Sequence, residues 1–188
     1  MAHAASAPPV LPAGSFWVFG YGSLMWNPGF TAVEVHRARL HGYHRWLCVW
    51  SWTYRGTRAN PGLVLGLDRG GSCLGRAFRV RAGDRAGVVD YLYARELISD
   101  VYRPVLRCVR LEDGRRVRAL TFVVDRCHAQ YAGKLSPERA AAVVRGARGV
   151  RGPNHEYVIN TAMHLRELGA PCVILDRVRE LLVEPARS

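Results

Sequence analysis

The sequence predicts an α+β fold: a compact, mixed but mostly antiparallel, barrel-like sheet with helices packed on it. Short runs rich in Val, Leu, Trp and Tyr, separated by Gly, Asn or Pro, fill the first two-thirds of the chain. An Asp-Gly pair at Asp113-Gly114 signals an antiparallel hairpin. The last third changes to helical spacing, and strands followed by helices, with no regular β-α-β alternation, indicate helices set on a curved sheet or small barrel. A chain of 188 residues with 49% hydrophobic content is long enough to bury a core of its own.

Residues 1–14 form an Ala/Pro-rich leader without a basic start or an apolar core, read as a disordered tail ahead of a single domain at 15–188. Strands are expected at Phe16 to Gly20, Glu34 to His41, Tyr43 to Ser51, Leu63 to Asp68 and Leu74 to Arg81. A helix is expected to begin near Asp84, and Tyr102 to Leu111 and Val117 to Asp125 flank the Asp-Gly turn. Ser136-Pro137-Glu138 supplies an N-cap, a first-turn proline and an early carboxylate for an Ala/Val-rich helix. Asn154 is expected to cap a second helix that stops at Gly169, and Leu175, Val178, Leu181 and Leu182 mark a third.

Composition excludes several classes. No apolar run approaches the roughly 18 residues that span a membrane, and a cytoplasmic location follows by default. Five cysteines, an odd number and widely spaced, form no C-x-x-C pair, so neither disulfides nor zinc are expected and each reads as a small buried hydrophobe. No His-x-x-x-His pair offers a metal site. The net charge of +12 invites a nucleic-acid partner, yet the 26 arginines and the single Lys134 are scattered along the sequence, not gathered in a block. The weaker inference is a positive field that draws a small anionic substrate.

Four places carry candidate chemistry. Val18 to Phe19 runs into Gly20-Tyr21-Gly22-Ser23-Leu24, where Gly20, Gly22 and Ser23 permit tight or positive-φ geometry and close approach of backbone amides to a ligand. The alternative is a plain turn after an edge strand. In the helix after Asp84, Val89, Leu92, Tyr93 and Glu96 share one face, which places the Glu96 carboxylate on an apolar stripe, where desolvation raises its pKa into the range a general acid/base needs. The alternative is that the helix ends at Arg95 and Glu96 turns to solvent or pairs with an arginine. Arg55-Gly56-Thr57 reads either as a carboxylate clamp or as an ordinary turn, and Tyr157 as a ligand-facing hydroxyl or a packing residue. Ser23 is not a hydrolase nucleophile, because Tyr-Gly-Ser-Leu is not Gly-x-Ser-x-Gly.

Taken in order, these stretches carry a resemblance: Trp17 to Phe30, Gly42 to Arg45, Arg55 to Thr57, Pro61 to Leu67, Gly71 to Gly75, Tyr91 to Glu96 and Asn154 to Tyr157. The chain resembles the ChaC family of glutathione-specific γ-glutamylcyclotransferases from Trp17 to about Leu182. Met25 stands where an isoleucine is frequent, and Arg58-Ala59-Asn60 replaces a more usual Pro-Glu-Arg or Pro-Gly-Lys. The resemblance implies a γ-glutamylcyclotransferase-like fold, no cofactor, and glutathione as substrate. It implies that Tyr21, Gly22, Ser23 and Leu24 bind the γ-glutamyl group, that Glu96 is the catalytic acid/base, and that Tyr157 helps to hold substrate. Cyclisation of another γ-glutamyl amine or dipeptide is the rival enzymatic reading. A non-catalytic basic RNA- or anion-binding module is the rival of another class.

Overall fold

Among the described residues the strand ladder begins at Phe16, at the head of the apolar run Phe16-Trp17-Val18-Phe19. The computed structural model describes residues 9–183, so residues 1–8 of the expected tail lie outside the described residues. Past them, the Arg85 guanidinium donates to the Leu11 carbonyl at 2.8 Å, and Leu11 packs on the apolar core. The chain divides into two compact units, one comprising the residues up to His44 with Arg69–Asp125, the other Arg45–Asp68 with the residues from Arg126 onward.

The first unit carries β1 (Phe16–Gly20), the early part of β2 (Glu34–Ser51), the late part of β3 (Gly62–Val80), α1 (Arg85–Glu96), β4 (Tyr102–Leu111) and β5 (Arg116–Val124). The strands close a barrel in the order β1-β3-β2-β4-β5. β1 lies antiparallel to β3, with Phe16 opposite Val80, and parallel to β5, with Trp17 opposite Ala119, which shuts the sheet on itself. Buried Thr121 of β5 donates its hydroxyl to the Phe19 carbonyl at 3.0 Å. The Asp-Gly hairpin closes as expected, Gly114 N–H donating to the Leu111 carbonyl at 3.0 Å.

The two expected strands on either side of Gly42 are one strand, and those on either side of Gly70-Gly71 are another. Glycine punctuation reads as a break in a sequence, but Gly42 takes φ +82 inside the ladder and lets the strand bend and continue. α1 sends Val88 and Leu92, one helical turn apart, into a cluster with Phe16, Val18, Leu24, Phe78, Val80, Leu120 and Phe122. This cluster fixes the helix against the glycine loop that follows β1.

Register also gathers charge that looks scattered in the sequence. Arg39 of β2 lies opposite Arg110 of β4, which lies opposite Arg116 of β5, and all three are exposed on one face. The cysteines divide as well: Cys48, Cys73 and Cys172 are buried, whereas Cys108 and Cys127 are exposed, against the expectation for all five. Cys108 alternates with the buried Val109 and so faces out of the barrel. None of the five is joined in a disulfide.

In the second unit, α2 (Pro137–Gly146), α3 (Asn154–Glu167) and α4 (Val173–Val183) follow the expected spans, with a two-residue ladder of β6 (Arg148–Gly149) and β7 (Gly152–Pro153) between the first two. Ser136 caps α2 by accepting from Arg139 N–H at 3.3 Å. α4 buries Ile174, Leu175 and Val178. Asn154 does not cap α3; Pro153 holds that position. The Asn154 side chain is instead fully buried, accepting from Leu63 N–H at 2.6 Å and donating to the Leu63 carbonyl at 2.8 Å. An amide presents the same donor and acceptor as a peptide unit, and here it pairs with β3 as a neighbouring strand would.

Candidate functional site

The loop after β1 turns at Gly22 into a short 3-10 helix, Ser23–Met25, in which Met25 N–H donates to the Gly22 carbonyl at 2.9 Å and Asn27 N–H to that of Ser23 at 2.9 Å. The amides of Ser23 and Leu24 precede the first of these bonds, so the helical turn leaves them unspent. Tyr21 and Leu24 are buried, and Leu24 belongs to the core cluster that anchors α1, while Gly22 and Ser23 lie toward the surface.

The expected left-handed geometry is absent from this loop. Gly22 has φ −129, and neither Gly20 nor Ser23 takes a positive φ. A side chain added at Gly22 would meet nothing within 4 Å, so what glycine provides there is open space beside the backbone. The left-handed residue of the segment is Gly29, φ +75, packed so closely on the Tyr91 hydroxyl that a Cβ would collide with it.

Glu96 is the last residue of α1, with its side chain 19% exposed. Burial pushes the carboxyl above its ordinary pKa, and the adjacent Arg95 charge partly opposes that shift. Both readings of the sequence contribute: the helix runs through Glu96 on its half-buried side, and Glu96 does pair with an arginine, Arg95 Nε lying 3.3 Å from Glu96 Oε1.

Arg95 itself was not singled out in the sequence, where it appears only as a possible helix end. Its Nη2 donates to the Ser23 hydroxyl at 2.8 Å, and its Nη1 to the Asn27 carbonyl and the Tyr91 hydroxyl, both at 2.7 Å. From β3, Arg76 donates to the Met25 carbonyl at 3.1 Å. Two arginines from separate elements therefore grip successive parts of the loop, and one of them also reaches Glu96. A signal was present in the adjacency of Arg95 to Glu96, but helical periodicity assigns neighbouring residues to different faces and hides it.

Arg55 and Tyr157 both belong to the second unit and lie together. The Arg55 guanidinium carbon sits 5.5 Å from the centre of the Tyr157 ring, and its Nη1 donates to the Pro153 carbonyl at 3.2 Å. Tyr157 accepts through its hydroxyl from Leu65 N–H at 3.1 Å. In the neighbouring turn Arg58 stacks on Trp52 at 4.4 Å, and Asn60 donates to the Gly146 carbonyl at 2.7 Å, so the unusual Arg58-Ala59-Asn60 segment ties its own loop to the end of α2.

Among the described residues no three His, Cys, Asp or Glu side chains gather as a metal site would require, and no helix is long and apolar enough to cross a membrane. One mostly buried carboxylate, joined through Arg95 to a loop with unspent amides and an open backbone, suits proton transfer coupled to oxyanion stabilisation.

The sequence matches the family described as ChaC-like protein over residues 16–185. It is 35% identical over 156 residues to the glutathione-specific gamma-glutamylcyclotransferase of Escherichia coli (strain K12), covering 83% of this chain and 68% of that protein. With the enzyme of the same name from Schizosaccharomyces pombe (strain 972 / ATCC 24843) identity is 31% over 176 residues, covering 84% and 86%. In three dimensions the chain superposes on a crystal structure of the yeast gamma-glutamyl cyclotransferase specific to glutathione with a TM-score of 0.78, at 19% identity over 93% of this chain and all of that one. At that identity the superposition shows a shared fold.

Proposed function

The chain belongs to the ChaC-like family, and from that premise we propose that it is a glutathione-specific γ-glutamylcyclotransferase that releases 5-oxoproline and cysteinylglycine. Curated relatives carrying that activity in their names, at 28–35% identity over most of this chain, support the substrate and the reaction. The observation that carries the chemistry is Glu96: a mostly buried carboxyl with a raised pKa, linked through one arginine to the loop whose amides are unspent.

A γ-glutamyl compound contains its own nucleophile. Its α-amine attacks the γ-carbonyl carbon, a C–N bond closes the five-membered ring, and the amide C–N bond to the cysteine nitrogen breaks. The α-ammonium gives up one proton to become the nucleophile and a second as the tetrahedral intermediate collapses to the lactam, while the departing nitrogen takes one as its C–N bond breaks and a second as it becomes the ammonium of cysteinylglycine, so a single carboxylate can relay each transfer in turn. Glu96 is assigned this shuttle. The Ser23 and Leu24 amides are assigned the oxyanion, and Tyr21 to Leu24 the γ-glutamyl group. Holding the chain of the substrate bent for ring closure supplies much of the remaining acceleration, because the attack is intramolecular once that conformation is selected. Tyr157 enters as a candidate substrate-binding residue on the strength of the family resemblance, and Arg55 as the candidate carboxylate clamp that an arginine beside glycine can form.

The test is incubation of the purified protein with reduced glutathione, scoring 5-oxoproline and cysteinylglycine by mass, with γ-glutamyl-alanine and γ-glutamyl-lysine in parallel. Release from glutathione well above the other two is the expected result. Preference for either analogue reassigns the leaving group, and release from none of the three overturns the reading.

A further inference from the structure

We infer that Arg95 is a positioning residue that holds the Ser23–Pro28 loop in register with the Glu96 carboxylate through the planar fork of its guanidinium. The inference rests on the reading of Glu96 as the proton carrier.

Adjacent residues on a helix do not face one another, so the Arg95–Glu96 pair is not a default helix contact. The Arg95 side chain curls around the end of α1: Nε turns back to Glu96 Oε1 at 3.3 Å while the two Nη groups reach across to the Ser23 hydroxyl, the Asn27 carbonyl and the Tyr91 hydroxyl. The N–H groups of one rigid plane thus tie three separate acceptors of the loop and helix to the acid. Lysine offers the same charge on a flexible stem and cannot present that fork.

Two properties of Arg95 can be separated. Its fork fixes the loop, and its charge favours the ionised form of Glu96. Arg95 is the charged group that bears on the Glu96 carboxyl. On elements beside α1, Arg76 of β3 is engaged with the Met25 carbonyl and Arg103 of β4 pairs with Asp125, and on α1 itself burial raises the pKa of the Tyr93 phenol.

The experiment compares Arg95→Lys, Arg95→Met and Ser23→Ala with the wild type for KM, kcat and the acid limb of the kcat profile, using glutathione. Arg95→Lys is expected to raise KM about tenfold or more, the scale of one lost charge-assisted hydrogen bond, with the limb in place. Arg95→Met is expected to raise KM similarly and to move the limb to higher pH. Ser23→Ala, an exposed site whose truncation spares the fold, is expected to raise KM and leave the limb unmoved. Wild-type KM in both Arg95→Lys and Ser23→Ala would overturn the fork, and an unmoved limb in a folded Arg95→Met the charge role. Glu96→Gln assayed alongside separates the two levels: wild-type turnover by that variant sinks the proton-carrier reading, whereas the KM changes test the fork whatever its outcome.

Discussion

Asn154 and Leu63, 91 positions apart, exchange a reciprocal pair of hydrogen bonds through a side-chain amide and a backbone peptide unit. The amide is fully buried, so neither Leu63 group has water in reserve. Asn154→Ala strands a donor and an acceptor together, and a loss of about 2–4 kcal/mol is expected from denaturant unfolding, within the usual cost of unsatisfied buried polar groups. A variant within about half a kcal/mol of wild type would mean the pair is dispensable.

Glu96→Gln is expected to fold and to lose at least about a hundredfold in turnover, the scale of a missing general acid/base. Its stability should move the other way. A carboxyl whose folded pKa is raised stabilises the fold while protonated, and that contribution disappears as pH rises from the ordinary carboxylate range through the folded pKa. Above that window the wild type holds a desolvated charge that the variant lacks. Urea titrations at acid and neutral pH should therefore show Glu96→Gln gaining on the wild type as pH rises, and a difference that is flat with pH would contradict the burial assigned to this group.

Two glycines of the first loop segment are expected to respond differently. Gly29→Ala meets both a left-handed φ and the Tyr91 hydroxyl, and should cost about 1–3 kcal/mol in thermal or chemical unfolding. Gly22→Val has neither obstacle, since φ is −129 and the added side chain enters open space. It should melt like the wild type and raise KM for glutathione, because the side chain takes room assigned to substrate. Equal kinetics for Gly22→Val would show that the loop is only a turn.

The exposed row Arg39, Arg110 and Arg116 sets like charges directly opposite one another across three strands. Such pairs repel, and salt screens them. Arg116→Glu is expected to raise the melting midpoint by about 1–4 °C at low salt, with the gain shrinking as salt is added. A gain independent of salt would point away from the row.

Much of this was legible in the sequence. Local rules sufficed for β1, β4, the Ser136 cap and the Gly169 stop, because each depends on a few adjacent residues. Glycine was the main source of error. Gly42 and Gly70-Gly71 read as breaks but are bends within ladders, and Gly22 reads as left-handed but is not, since a glycine in a sequence says that freedom exists and not how it is used. Glu96 was visible through its helical phase. Arg95 was hidden because its importance lies in a long side chain that leaves its own helical face, and Asn154 because a residue typical of caps is spent on a strand 91 positions away. The arginine row was invisible for a related reason: register converts sequence distance into adjacency only after the sheet has formed.

One helix serves two ends. Val88 and Leu92 fasten the middle of α1 to the barrel core, but Glu96 occupies its final residue, where backbone bonding is thinnest and Leu97 N–H to the Tyr93 carbonyl at 2.9 Å is the last closure. Fraying of that single turn would carry the acid and the Arg95 tether away together while every strand stays paired. On the assignment of Glu96 as proton carrier, activity is expected to fall below the temperature of global unfolding and to return on cooling.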